Sequence, residues 1–165
     1  MKRPFCCRAG HAALHRGLSL PEVVVCMAII ALIASYAMPT YRRQLMRGYR
    51  TEVVSALYRA QHYVEQRQRE AMDAPDPAAA DPSAGGLPPE LAQSPSAGAA
   101  VYQLWLSGAS AENGGYTLQA TPAPHGPMRD DLACGSYLLD ATGKRGNLVD
   151  GGTPSERVAS CWSGQ

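Results

Sequence analysis

Apolar and polar residues change rhythm several times along this chain. Val23–Tyr41 runs for 19 residues without a formal charge, VVVCMAIIALIASYAMPTY. As a helix it spans ~28 Å at about 1.5 Å per residue, close to the hydrocarbon thickness of a bilayer. Beyond it Leu45, Tyr49, Val53, Leu57, Ala60 and Val64 recur every three or four residues, the stripe of an amphipathic helix. Pro39 falls inside this long helix, where it removes a backbone donor and predicts a kink costing ~3 kcal/mol or more. Gly48 is a second weak point.

The rhythm then breaks. Residues 73–100 hold nine Ala, six Pro, three Gly and three Ser, a composition unable to bury enough apolar surface to order itself. Within it, Pro88-Pro89-Glu90-Leu91 reads as a short turn. Period-two patterns follow at Val101–Leu106, Tyr116–Ala120, Tyr137–Asp140 and Lys144–Leu148, and Val158–Trp162 reads as a closing strand. Glu112-Asn113-Gly114-Gly115 and Ala141-Thr142-Gly143 are the turn signals between them. The expected fold is α+β: a long N-terminal helix whose stripe lies on an antiparallel sheet of about four strands. The expected segments are a basic leader 1–17, an apolar helix 18–41, its amphipathic continuation 42–70, a loop 71–100 and a sheet head 101–165.

Composition narrows the function classes. The chain has 165 residues, 45% hydrophobic and 18% charged, with a formal net charge of +1. That fits a folded chain and gives no whole-chain case for a nucleic-acid binder. The average conceals a gradient: Lys2, Arg3, Arg8 and Arg16 stand in the first 17 residues without an acid, leaving the remainder at −3. Residues 42–70 carry seven arginines against three glutamates, a net of +4. This reads as a solvated helix face or as a surface for acidic partners or DNA. No interleaved aromatic pattern for stacking single strands accompanies it.

Candidate chemistry is sparse. Two of the four histidines, His11 and His15, lie in the leader; His62 and His125 are the others. Asp130, Asp131, His125 and Ser136 form no nucleophile or base arrangement, so no catalytic residue is assigned and no enzyme activity is expected. Asp140, Asp150 and Glu156 match no calcium-loop spacing, and no cysteine pair has zinc-site spacing. No metal or cofactor is therefore expected. Cys6 and Cys7 are leader residues without a role, and Cys26 sits inside the apolar run. If the chain crosses into an oxidising space, Cys134 and Cys161 are a disulfide candidate closing a Gly-rich region with little core. The competing reading is two reduced buried thiols in a cytosolic protein.

Three readings fit the apolar run. It is a plain anchor with Glu22 at the headgroups, or a secretory signal cut after Ser35-Tyr36-Ala37 that releases a soluble periplasmic domain. The third rests on Arg16-Gly17-Leu18-Ser19-Leu20-Pro21-Glu22, which resembles the type IV prepilin processing site. Ala37-Met38-Pro39-Thr40-Tyr41 is similar to the proline-tyrosine turn of that family's helices. Further likeness lies in Arg50-Thr51-Glu52, Tyr116–Pro122, Arg129-Asp130, Cys134-Gly135, Leu139-Asp140, Gly143–Gly146 and Val158–Trp162. This pattern resembles the PilE-type minor pilins over residues 16–70 and 116–162.

The resemblance implies that a prepilin peptidase cuts between Gly17 and Leu18 and methylates the new amine of Leu18. It also implies that Glu22 meets a neighbour's N-terminal amine in the growing filament. A carboxylate at hydrocarbon depth costs on the order of 2.5–3.5 kcal/mol, which such pairing offsets. A bare cap residue at the helix dipole is the simpler role for Glu22. Implied partners are other pilins through helix packing, the assembly machinery and the inner membrane. The chain would be stored there as a single pass with its N-terminus cytoplasmic, then move to a cell-surface pilus. The implied function is a minor type IV pilin, building or priming pili for twitching motility and surface attachment. Alternatives are a type II secretion pseudopilin, a DNA-binding pilin for DNA uptake, and the soluble periplasmic domain.

Overall fold

The computed structural model describes residues 19–72, 86–110, 112–149 and 152–164. The chain divides into two compact units, Met1–Thr40 and Tyr41–Gln165. One helix, α1 (Leu20–Met72), contributes to both. It starts where the Ser19 carbonyl accepts the amides of Glu22 (3.0 Å) and Val23 (3.2 Å). Pro21 falls in the first turn, where its missing donor goes unnoticed.

In the first unit α1 is apolar on every side and covered on none. Its most apolar 18-residue window has a mean hydropathy of 2.2 and no buried share, so it is long and apolar enough to cross a membrane. Two of its hydroxyls bond to the helix's own backbone. Ser35 Oγ donates to the Leu32 carbonyl at 2.7 Å, and Thr40 Oγ1 donates to the Tyr36 carbonyl at 3.3 Å. Such local bonds let hydroxyls sit in hydrocarbon. The helix runs without a break through Pro39.

The second unit is a helix on a six-stranded antiparallel meander in the order β1-β2-β3-β4-β5-β6. The strands are β1 (Gln93–Ser94), β2 (Tyr102–Ser107), β3 (Thr117–Pro122), β4 (Ser136–Asp140), β5 (Arg145–Val149) and β6 (Thr153–Pro154). Alternation sorts the two faces. Leu104, Ala120, Tyr137 and Asn147 stand in one register row, and all four are buried. The next residues along, Trp105, Gln119, Leu138 and Gly146, form the opposite row, where Trp105 is 57% exposed. Val53, Ala56, Leu57, Ala60 and Val64 of α1 belong to the same core cluster as the inward sheet residues.

The apolar stripe therefore holds from Val53 onward, whereas Leu45 is exposed and Tyr49 half-buried. The four expected strands are present with ends shifted by one or two residues, and two two-residue strands flank them. Neither edge strand has enough residues to show a period, so pairing with a neighbour creates them. The turn at Pro88–Leu91 is present, with the Leu91 amide donating to the Pro88 carbonyl at 2.9 Å.

Val158–Trp162 corrects an expectation: it is a helix, α2, and not a strand. Consecutive Cys161 and Trp162 are both buried. A strand lying on a sheet would send them to opposite faces, while one helical turn brings both inward.

Candidate functional site

The candidate assembly residues stand at the start of α1. Glu22 lies in the first turn, exposed, at the positive end of the helix dipole. Around the following turns Val24, Val25, Ile29, Ile30, Leu32 and Ile33 are all more than half exposed. A helix apolar on all sides needs lipid or other helices around it. Gly17 and Leu18 lie outside the described residues. Cys26 is an exposed free thiol on this rod.

In the second unit a charged latch joins α1 to the segment before β4. Arg50 sits three residues ahead of Val53 and seven ahead of Leu57, so it shares their core-facing stripe. Its Nε donates to Asp131 Oδ2 at 3.0 Å and its Nη2 to Asp131 Oδ1 at 2.8 Å, a two-pronged contact. The Asp131 side chain is 1% exposed. The hydrogen bonds to Asp131 raise the Arg50 pKa above its ordinary value, opposed by burial. Burial pushes the neighbouring Tyr102 and Tyr137 hydroxyls far above the ordinary tyrosine range. The Asp131 carbonyl takes the Gly135 amide at 2.9 Å, so the latch continues into the disulfide region.

Cys134 and Cys161 are bonded to each other, 27 positions apart in sequence. The bond fastens α2 beside β4. Tyr137 links the same parts, its hydroxyl donating to the Cys161 carbonyl at 3.4 Å and its ring meeting Trp162 edge-on at 5.7 Å. Gly135 adopts φ +53°, and a Cβ there would collide with the Leu148 carbonyl oxygen, so this position tolerates no side chain. Among the described residues no three His, Cys, Asp or Glu side chains gather as a metal site.

The surface chemistry is unevenly compensated. Among the described residues the ion pairs engage Arg50, Arg69 and Arg129. Arg42, Arg43, Arg47 and Arg59 are exposed along α1, and Lys144, Arg145 and Arg157 are exposed in the C-terminal part. Sequence reasoning weighed the arginines of residues 42–70 as a group and did not find the Arg50–Asp131 pair. A cation on a core stripe was the available signal; which of several acids met it was not readable.

A long helix that is bare and apolar and then amphipathic, an antiparallel meander on its second part, and a C-terminal disulfide define the type IV pilin class. A family model described as "Type IV minor pilin ComP, DNA uptake sequence receptor" matches residues 39–138. The match covers more than half of the chain, and the chain belongs to this family of type IV minor pilins. The family is structural rather than enzymatic. No curated protein matches the chain.

Proposed function

We propose that this minor pilin enters a type IV pilus and binds DNA there during DNA uptake. The carrying observation is the uncovered apolar rod that opens on Glu22, in a member of a minor-pilin family. Such a surface calls for lipid before assembly and neighbouring helices afterwards. The proposed sequence is insertion as a single pass with the N-terminus cytoplasmic, cleavage between Gly17 and Leu18, and methylation of the Leu18 amine. Glu22 then pairs with the terminal amine of another subunit, and Pro39 kinks α1. The pilus partners are other pilins, the prepilin peptidase and the assembly machinery.

The DNA reading rests on the description of the matched family and on the exposed, unpaired cations of the head. It therefore takes precedence over the general fibre-building reading, which the sequence alone had favoured. A deletion strain separates the readings. Loss of DNA uptake with pili and twitching motility retained is the expected result. Loss of pili, motility and attachment together would favour the broader structural role. Loss of protein secretion with DNA uptake intact would assign the chain to a secretion pseudopilus.

A further inference from the structure

Arg145 opens β5 as an exposed cation whose side chain is held by two aromatic rings. Its guanidinium carbon lies 5.8 Å from the ring centre of Tyr58 and 5.5 Å from that of Trp162. The two rings are themselves 6.1 Å apart at 72°. Trp162 is immobilised from behind: its Nε1 donates to the Gly146 carbonyl at 3.3 Å, and its neighbour Cys161 is bonded to Cys134. Trp162 thus belongs to the core, while Tyr58 and the cation lie at the surface.

None of the ion pairs among the described residues engages Arg145. Asp140, across the turn, has its Oδ1 committed to the Thr142 hydroxyl and to the Thr142 and Lys144 amides. Arg59 and Lys144, the chain neighbours of Tyr58 and Arg145, are exposed cations as well. A guanidinium held against aromatic rings loses little freedom on binding and offers its N–H rim to acceptors in its own plane. Two oxygens of a phosphodiester fit that rim.

We propose that Arg145, braced by Tyr58 and Trp162, contacts the phosphate backbone of duplex DNA, with Arg59 and Lys144 beside it. The inference rests on the DNA-uptake reading and adds a site to it. A phosphate contact carries affinity without sequence preference, so its loss weakens all duplexes alike.

The test uses the full-length chain in detergent, with short labelled duplexes of several sequences titrated across a range of salt. Arg145→Ala is expected to weaken every duplex about tenfold, the loss of one charge-assisted hydrogen-bonded contact. It should also reduce the slope of log K against log salt by about 1. Arg145→Lys should recover most of that slope. On the unaltered chain, duplex DNA should slow phenylglyoxal modification of Arg145, and inorganic phosphate at equal phosphate concentration should not. This second reading needs no variant to fold. Unchanged affinity and slope in Arg145→Ala, or equal protection by phosphate, overturns this proposal alone. A wild-type chain that binds no duplex even at low salt overturns it together with the DNA-uptake reading.

Discussion

Arg50 and Asp131 show how much one pair decides in this head. Each is costly to bury by itself, and each is tolerable because the other neutralises it at 2.8 Å. Removing either partner strips the other of this two-pronged, charge-assisted contact. Asp131→Ala is therefore expected to cost about 3–5 kcal/mol of head stability, read as a shift in denaturant midpoint. The double variant Arg50→Met, Asp131→Leu should be markedly less damaged than either single removal. Asp140 acts on a smaller scale. Desolvation raises its pKa, but the Thr142 hydroxyl and the Lys144 and Thr142 amides together outweigh that and hold it below the ordinary carboxylate value. Because the folded value is depressed, its contribution is present above about pH 4 and is lost as pH falls through the folded value. Denaturant midpoints followed from pH 6 to pH 3 should therefore fall less steeply in Asp140→Ala than in the parent.

At the scale of elements, α1 carries two codes in one helix, and both were legible. The apolar run declared itself by length and the core stripe by period, because burial against a sheet repeats every turn. The four main strands were legible for the same reason, through alternation. What stayed hidden has a physical cause in each case. β1 and β6 are two residues long and owe their existence to a neighbour's hydrogen bonds. α2 was misread because Val158-Ala159-Ser160-Cys161-Trp162 has β-forming ends, yet the Cys134–Cys161 bond and the burial of Trp162 select a helical turn. The contact of Arg145 with Tyr58 joins residues more than 80 positions apart, beyond any local pattern. The element-scale prediction concerns Glu22. Glu22→Ala should leave cleavage at Gly17 intact and remove the subunit from sheared pili, as judged by immunoblot of fibre and membrane fractions. Normal incorporation of that variant would remove the pairing role proposed for the glutamate.

At the scale of the molecule, the chain joins an apolar part that calls for lipid or other helices around it to a head stabilised by its own bonds. Residues 19–40 gain nothing from the described fold around them, since all are exposed. The head gains from its core, from the Arg50 latch and from the cystine. Closing a loop of about 28 residues is worth roughly 3–4 kcal/mol in the chain-entropy account. Cys134→Ser with Cys161→Ser is therefore expected to lower head stability by about that amount, with the sheet's far-ultraviolet signal retained at low denaturant.

The intact mass of this subunit taken from sheared pili decides whether it is processed and assembled as a pilin. The expected polypeptide begins at Leu18, carries one added methyl group and is recovered in the fibre fraction. A product beginning at Met38 and found free in the periplasm would contradict it.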